Sequence, residues 1–330
     1  MTNPTSNAPQ LLDLYRVMQR IRSVENSLIK LFADGEVPGF IHLSIGQEAC
    51  AAGVITALEP QDTFATTHRG HGHVVARGIG LEEFFKELMG RAGGMCGGRG
   101  GSMHVSDMQL GVLGANGIVG AGIPIALGSA LAHQLRKTGG VALAFFGDGA
   151  MAEGVLHESM NLASLWKLPL VFVCENNSWS EFSPTERQFV AEVGKLASAF
   201  GLGFEQADGN DVLAVADAAR RSLAAARSGT PQVLEFLTTR VRGHFEGDPQ
   251  KYRPEHEAAA MAARDPLLLA ANKLRAAGTE PAVLEQIAAD CEQQVWQAIE
   301  ASRADTAPTF ADAMADVYTK QHAAVSVGGN

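Results

Sequence analysis

The sequence predicts an α/β protein built on a doubly wound, mainly parallel sheet with a C-terminal helical extension. Residues 141–146 and 170–174 are short apolar runs rich in β-forming residues, as expected of strands buried on both faces. Apolar residues recur at helical spacing between them, which indicates a strand–helix–strand crossover. Residues 204–207 and 232–238 predict further strands, separated by an alanine-rich helix over residues 211–227, and this alternation is typical of a parallel sheet.

The N-terminal part of the chain is predicted to be a flexible arm followed by helices and a short strand. Residues 1–10 are polar, with neither a basic start nor an apolar run, so they do not resemble a secretory signal. Residues 11–32 carry an amphipathic helical pattern, residues 47–58 an alanine-rich helix, and residues 62–67 a short strand. We take residues 11–255 as a single α/β domain that includes the first helix.

Residues 90–122 are rich in glycine and lack a periodic apolar face. A flexible linker is one interpretation, but the apolar residues between the glycines favour an ordered loop folded close to another group. Residues 117–122 superficially resemble a dinucleotide-binding loop. We predict no strand before them, and their glycines follow the order Gly-x-x-Gly-x-Gly, which argues against a Rossmann assignment.

Residues 256–318 show two amphipathic helical patterns. We expect these helices to pack on the α/β domain or on a partner subunit. Pro266 lies inside the first pattern and marks either a break or a helix start. Residues 319–330 are predicted to form a frayed tail.

The composition excludes several classes of function. The 330 residues include 36 acidic and 26 basic side chains, for a net charge of −10, which argues against nucleic acid as a partner. The four cysteines are widely separated, without a Cys-x-x-Cys pair, so we expect a reducing compartment and a cytoplasmic location. No uninterrupted apolar stretch reaches the ~20 residues of a membrane-spanning helix, so we expect no membrane partner.

Polar residues follow each of the two central apolar runs. Gly147-Asp148-Gly149 comes after the first run and Asn176-Asn177 after the second. Because a right-handed crossover places both strand ends at one edge of the sheet, Asp148 and Asn177 should lie close together. Carboxylate oxygens and side-chain amide oxygens are suitable ligands for Mg²⁺. Backbone N–H groups at the start of a helix can bind phosphate. Each motif alone is typical of a turn or of a cap at a strand end. The two motifs together favour a metal–diphosphate site.

Residues 68–73 place three histidines beside Arg69. A zinc site is one interpretation, but no cysteine or carboxylate at matched spacing lies nearby. Arg69 can alternatively bind phosphate oxygens through its planar guanidinium group. His42 and His244 stand apart in the sequence, and each is either functional or a hydrogen-bonded structural histidine.

Four further motifs accompany this pair, namely GGSMH at residues 100–104, NGIVG at 116–120, LWKLP at 165–169 and CENN at 174–177. Together they resemble the α subunit of the thiamine diphosphate-dependent component of 2-oxo acid and acetoin dehydrogenase complexes. The Gly-Asp-Gly and Asn-Asn pair is similar to the thiamine diphosphate signature that transketolase-like enzymes share. The resemblance runs from about residue 14 to about residue 266, and it implies the thiamine diphosphate-binding fold for the α/β domain.

The resemblance implies thiamine diphosphate and Mg²⁺ as cofactors. Mg²⁺ would be held by Asp148, Asn177 and the backbone carbonyl of Trp179. His42 and His244 match active-site histidines and would orient substrate or transfer protons. His68 and Arg69 match the pair that contacts the diphosphate, although the family often has tyrosine where this chain has His68. The residues implied in cofactor binding are His68, Arg69, Gly117, Val119, Asp148, Gly149, Ala150, Asn177 and His244.

The implied reaction is cleavage of a carbon–carbon bond next to a carbonyl, with transfer of the acyl unit to a lipoyl group of an acyltransferase partner. The family carries the glutamate that activates its cofactor on a companion β subunit, which implies an α₂β₂ heterotetramer. Glu48 is the candidate substitute within this chain, but we expect it on an exposed helical face.

Acetoin is the expected substrate, followed by pyruvate and then branched-chain 2-oxo acids. Residues 181–188 and 243–248 look more like bacterial acetoin dehydrogenase α subunits, and animal pyruvate dehydrogenase α subunits carry a regulatory serine where this chain has Phe245-Glu246. Two other classes remain open. A nicotinamide-dependent Rossmann oxidoreductase would leave Asp148 without a role, and a noncatalytic subunit would retain the activity of its assembly after Asp148→Ala.

Overall fold

A six-stranded parallel sheet forms the centre of the computed structural model, which describes residues 8–254 and 257–315. The strands in chain order are β1 (Thr63–Ala65), β2 (Val112–Gly114), β3 (Ala142–Gly147), β4 (Leu170–Asn176), β5 (Trp179–Ser180), β6 (Ser183–Pro184), β7 (Gly203–Asp208) and β8 (Gln232–Leu237). The sheet has the order β2–β1–β3–β4–β8–β7, and every neighbouring pair is parallel. Strands β5 and β6 form a separate antiparallel pair. The predicted mainly parallel sheet is confirmed.

Helices cover both faces of the sheet. They are α1 (Ala8–Ala33), α2 (Glu48–Ile55), α3 (His71–Ala76), α4 (Leu81–Leu88), α5 (Gly122–Arg136), α6 (Gly154–Trp166), α7 (Val193–Ala199), α8 (Val212–Arg227), α9 (Glu257–Ala263), α10 (Pro266–Ala276), α11 (Pro281–Arg303) and α12 (Phe310–Ala315). No helix among the described residues is long and apolar enough to cross a membrane.

The two faces of the sheet bury separate apolar clusters because side chains alternate along each strand. On β3, Leu143 and Phe145 join the cluster that contains residues of α1 to α4, α8, α10 and α11. Ala144 and Phe146, which point the other way, join the cluster formed with α5, α6 and α7. This double coverage explains why β3 and β4 are apolar along almost their whole length.

Helix α1 and strand β2 differ from the sequence prediction. Helix α1 includes residues 8–10, which fall inside the predicted arm. Residues 1–7 lie outside the described residues. The glycine-rich segment contains the short strand β2, which we did not predict because its three residues are too few to show a period. A strand therefore does precede residues 117–122, although the sheet order puts it at the edge.

The C-terminal helices pack on the helices of the α/β domain. Helix α11 lies against α1 and α4, and α10 lies against α1 and α2. Pro266 is a helix start, because it occupies the first turn of α10 and the carboxylate of Asp265 accepts hydrogen bonds from Leu267 N at 2.8 Å and Leu268 N at 3.2 Å. The predicted tail, residues 319–330, lies outside the described residues.

Candidate active site

A cavity of about 340 Å³ lies at the carboxyl edge of β1, β3 and β4. This edge is where open parallel sheets bind ligands. The structure brings every residue implied in catalysis, cofactor binding or metal binding to this one cavity. Its lining includes His42, His68, Arg69, Gly117, Val119, Asp148, Gly149, Ala150, Asn177, Trp179 and His244.

The ends of β3 and β4 place Asp148 next to Asn177. The register pairs Gly147 with Glu175, so the residues that follow both strands emerge side by side. Asp148 Oδ1 accepts a hydrogen bond from Asn177 N at 3.3 Å, and Asp148 Oδ2 accepts one from the Thr185 hydroxyl. Asn177 Nδ2 donates to Gln47 Oε1 at 3.2 Å. The two strand ends therefore converge as the crossover argument requires.

The backbone after Asn177 turns sharply toward the cavity. Asn177 Oδ1 accepts a hydrogen bond from Trp179 N at 3.2 Å, which forms a local turn between a side chain and the backbone two residues on. Ser178 between them has a φ of 66°, a left-handed conformation that is uncommon outside glycine. Trp179 then begins β5 at the cavity wall.

Asp148 is a buried carboxylate that makes no ion pair with a basic side chain in the described parts of the chain. It is only 1% exposed, and burial raises its pKa to about 6 from 3.8, against the opposing effect of the hydrogen bonds from Thr185 and Asn177. A carboxylate has about four lone-pair sites, of which these two donors use two. The group thus retains capacity to bind a cation.

Gly149 is required by the close approach of β5. A Cβ at this position would lie 2.6 Å from Ser180 Oγ and 3.0 Å from Ser180 Cβ. Asp148–Ala152 forms a single 3₁₀ turn that leads into α6. Early amides of such a turn lack partners within it, so the backbone of Gly149 and Ala150 can bind an anion.

The segment around Gly117 also lines the cavity. A Cβ on Gly117 would lie 3.5 Å from Met103 Sδ, an ordinary van der Waals contact, so Met103 lies next to this backbone. Ile118 is 72% exposed and Val119 is 47% exposed, although both line the cavity. Exposed apolar side chains at a cavity indicate a surface that a ligand or another chain covers.

Arg69 and Arg240 supply positive charge. Arg69 is buried and donates to the carbonyl oxygens of Leu43 at 2.7 Å and His244 at 2.9 Å. Burial and the nearby Arg240 lower the pKa of Arg69 to about 9. Arg240, which sequence reasoning missed, is also buried and donates to Tyr252 Oη at 3.0 Å, while its Nε has no hydrogen-bond partner among the described residues. Its only sequence signal is its place in a polar loop after β8.

His42, His68 and His244 lie together in the cavity wall. Ring centroids are 4.5 Å apart for His42 and His68, 5.0 Å for His42 and His244, and 5.4 Å for His68 and His244. Burial, followed by the charge of Arg69, lowers the pKa of His42 to about 3 and that of His244 to about 4, and lowers the pKa of His68 well below its usual value. All three imidazoles are therefore neutral at neutral pH.

The other histidines of residues 68–73 have structural partners. His71 contacts Glu25 Oε2 through Nδ1 at 3.1 Å and Ser102 Oγ through Nε2 at 2.7 Å. His73 contacts Thr66 Oγ1 at 2.7 Å and Glu175 Oε1 at 3.2 Å. A zinc site formed by the three histidines of this turn is excluded, since only His68 faces the cavity.

A single buried carboxylate organises the glycine-rich segment. Glu87 Oε2 accepts hydrogen bonds from Cys96 N and Gly98 N, both at 2.8 Å, and Glu87 Oε1 accepts from Gly100 N at 2.7 Å and Gly101 N at 3.1 Å. Glu87 is fully buried on α4. The ordered-loop interpretation is therefore right for this stretch, and its order comes from an anion within the protein.

The expectation that Glu48 lies on an exposed helical face is wrong. Glu48 is fully buried, and its Oε1 accepts a hydrogen bond from Arg22 Nε at 2.5 Å while Oε2 accepts from Gly46 N at 2.9 Å. The guanidinium group comes from α1, and an alanine-rich helix gives no sign of such a distant partner. Glu48 also does not line the cavity.

Comparisons with known proteins identify the family of this chain. The family model described as "Dehydrogenase E1 component" matches residues 16–311. The α subunit of acetoin:2,6-dichlorophenolindophenol oxidoreductase from Bacillus subtilis (strain 168) is 39% identical over 307 residues, which cover 92% of each chain. The subunit with the same description from Cupriavidus necator is 40% identical over 314 residues, covering 93% of this chain and 94% of that one. The pyruvate dehydrogenase E1 component subunit alpha of Zymomonas mobilis is 40% identical over 314 residues, covering 94% and 88%. The chain belongs to the dehydrogenase E1 component family and aligns there with α subunits.

Proposed function

We propose that the chain is the α subunit of an enzyme that cleaves a carbon–carbon bond next to a carbonyl and passes the acyl unit to a lipoyl group of an acyltransferase partner. Membership of a thiamine diphosphate-dependent family supports the reaction class. The observation that carries the proposal is the convergence of Asp148 and Asn177 in one cavity with the buried cations Arg69 and Arg240.

The donor atoms at the strand ends fit Mg²⁺. Asp148 supplies a carboxylate, Asn177 an amide oxygen and Trp179 a backbone carbonyl, and Mg²⁺ prefers such oxygen ligands together with phosphate oxygens. The amide oxygen of Asn177 keeps a second lone pair beside its bond to Trp179 N. A cation bound here would also stabilise the ionised form of Asp148, which burial disfavours.

The diphosphate of the cofactor fits the cationic side of the cavity. We assign it to the side chains of His68 and Arg69, the backbone amides of Gly149 and Ala150, and His244. Arg69 already holds two carbonyl oxygens, but a guanidinium group has five N–H donors, so it retains donors for phosphate. Thiamine diphosphate, when bound, supplies the carbanion that attacks the substrate carbonyl and the ring that accepts its electrons.

The aminopyrimidine ring is assigned to the backbone of Gly117 and Val119, whose segment lines the same cavity as the strand ends. His42 and His244 are assigned to substrate orientation and proton transfer. Both imidazoles are neutral at neutral pH, so each has one nitrogen that can accept a proton and another that can donate a hydrogen bond.

A β subunit is proposed to complete the site in an α₂β₂ heterotetramer. The family carries its cofactor-activating glutamate on the β subunit, and Glu48, the candidate substitute within this chain, is committed to Arg22 and to Gly46 N. The exposed side chains of Ile118 and Val119 offer apolar surface for such a partner at the cavity. Because the four cysteines are free, we also propose a reducing location, the cytoplasm.

Acetoin is the substrate that we propose, with pyruvate as the alternative. Two relatives, at 39% and 40% identity, are described as acetoin oxidoreductase subunits and six, at 35–40% identity, as pyruvate dehydrogenase α subunits, so the relatives do not decide the substrate. The sequence of the loop at residues 243–248 favours acetoin. Phe245 packs edge-on against Phe40 at 5.3 Å, and Glu246 pairs with Arg242, where animal pyruvate dehydrogenase α subunits carry a regulatory serine.

The test is a dye-reduction assay of the chain reconstituted with its β subunit, comparing acetoin, pyruvate and branched-chain 2-oxo acids. Acetoin should give the highest kcat/KM, and a clear preference for pyruvate would refute the substrate assignment. Calorimetry of thiamine diphosphate binding, with and without Mg²⁺, tests the cofactor separately. Full turnover by the α chain alone would contradict the proposed division of the site between two chains.

A further inference from the structure

Three imidazoles from three distant segments meet in the cavity wall. His42 precedes α2, His68 follows β1, and His244 lies in the loop after β8. One ring nitrogen of each lies within 4.8 Å of the other two. Within residues 8–254 and 257–315 this is the one group of three histidine, cysteine, aspartate or glutamate side chains close enough to hold a metal ion.

The ring nitrogens of this cluster are short of partners. His42 Nδ1 and His244 Nδ1 are buried and make no hydrogen bond with the described part of the chain. His42 is only 8% exposed, and buried polar atoms without partners are rare in folded proteins. Two unsatisfied nitrogens in one cluster indicate a group that a ligand completes.

We propose that His42, His68 and His244 form a binding site for a transition-metal dication such as Zn²⁺, separate from the oxygen-ligand site at Asp148 and Asn177. Such a site goes beyond the proposed function, because it does not depend on thiamine diphosphate. Since the three histidines line the same cavity as Asp148, an ion held by them would obstruct the space proposed for the diphosphate.

The ligand chemistry separates the two sites. Neutral imidazole nitrogens suit Zn²⁺, Co²⁺ or Cu²⁺, whereas Mg²⁺ binds oxygen. Three histidines and one solvent-derived ligand form a known type of zinc site. Zinc–nitrogen distances of ~2.0–2.1 Å in a tetrahedron place the nitrogens ~3.4 Å apart. The cluster must therefore contract from its present limit of 4.8 Å.

The nearby positive charge determines how tightly we expect the metal ion to bind and which fourth ligand it should take. Arg69 and Arg240 both lower the pKa values of the cluster, so the same charges oppose a dication. An anionic fourth ligand, such as hydroxide or chloride, offsets this repulsion. We therefore expect the ion to bind together with an anion and more weakly than in a structural zinc site.

The test is a titration of the full-length chain with Co²⁺, monitored by visible absorption, and with Zn²⁺, monitored by calorimetry. Four-coordinate Co²⁺ with nitrogen ligands absorbs strongly, whereas six-coordinate Co²⁺ with oxygen ligands absorbs weakly. We expect the strong spectrum with one equivalent of metal. His42→Gln, His68→Gln and His244→Gln should each weaken binding at least ~10-fold, because the loss of even a supporting partner costs a metal site that much.

Two controls make the outcome decisive. His104→Gln removes an exposed histidine outside the cavity and should leave the Co²⁺ spectrum unchanged. Asp148→Ala should also leave the spectrum unchanged, although it should abolish cofactor binding if the proposed function is right. The proposal is overturned if the protein gives only the weak spectrum, or if the three cluster variants bind Zn²⁺ as tightly as the wild type. Circular dichroism confirms that each variant is folded, and displacement of bound Co²⁺ by Zn²⁺ in the wild type gives a readout that needs no variant.

Discussion

The ends of β3 and β4 and the glycine-rich segment line the same cavity, but different interactions position them. At the strand ends, a ladder of six residue pairs from Ala142–Leu170 to Gly147–Glu175 fixes where Asp148 and Asn177 emerge. In the glycine-rich segment, the carboxylate of Glu87 holds four backbone amides at once. One side therefore depends on repetitive backbone pairing and the other on a single side chain. We therefore expect mutations at the strand ends and mutations in the glycine-rich segment to impair different properties of the protein.

The largest expected effect comes from the strand ends. Asp148→Ala removes the only carboxylate proposed for Mg²⁺, so the affinity of the αβ assembly for thiamine diphosphate should fall at least ~100-fold. Calorimetry with Mg²⁺ present measures this loss, and removal of Mg²⁺ by EDTA should reproduce it in the wild type. Asp217→Ala on the exposed surface of α8 is the matched control. Unchanged activity of the Asp148→Ala assembly would support a noncatalytic subunit instead.

The next effect comes from the glycine-rich segment. Glu87→Gln keeps the size of the side chain but replaces one acceptor oxygen by an amino group, so two backbone amides lose their partner. At ~1–3 kcal/mol for each unsatisfied group, we expect a loss of roughly 2–6 kcal/mol in the free energy of unfolding. Hydrogen exchange should accelerate at residues 96–101 and stay unchanged along β3. Glu82→Gln, at an exposed position on the same helix, is the control.

The buried carboxylate of Asp148 also gives a pH dependence. Because its pKa is raised from 3.8 to about 6, the folded state favours the protonated form, and this stability is lost as the pH rises from 3.8 through 6. A shift of this size corresponds to about 3 kcal/mol. Without cofactor, the wild type should lose thermal stability relative to Asp148→Asn across this pH range. Mg²⁺ with thiamine diphosphate should restore the wild type only; parallel melting curves for both proteins would contradict the prediction.

The smallest effect is expected away from the cavity. Asp211 caps α8 by accepting a hydrogen bond from Leu213 N at 3.2 Å. Asp211→Ala should cost about 1 kcal/mol of stability. Chemical denaturation measures this loss, and cofactor affinity should not change. If affinity fell as well, the two sides of the cavity would not be positioned as locally as we infer.

The same contrast explains what the sequence could predict. Strands β3 and β4 and the meeting of Asp148 with Asn177 follow from apolar runs and from the handedness of a crossover, both of which are local patterns. The partners of buried charges are not local. Glu48 pairs with Arg22 on another helix, and nothing around Arg240 in the sequence indicates that it is buried.

The histidines show how far the sequence alone can predict which side chains line the cavity. The family resemblance points to His42, His68 and His244, whereas no spacing rule connects positions so far apart in the chain. His71 and His73 lie in the same short motif as His68, yet they make structural hydrogen bonds. Alternation along a short motif cannot show which ring faces the cavity, because α3 begins within it.

The arrangement around Glu87 restricts how the segment between α4 and β2 can change. Its four bonded amides belong to residues 96, 98, 100 and 101, so their spacing along the chain matches the two oxygens of one carboxylate. Substitutions that leave the backbone path intact preserve this match. Inserting or deleting a single residue would move the later amides out of reach, so this stretch should tolerate changes of side chain far better than changes of length.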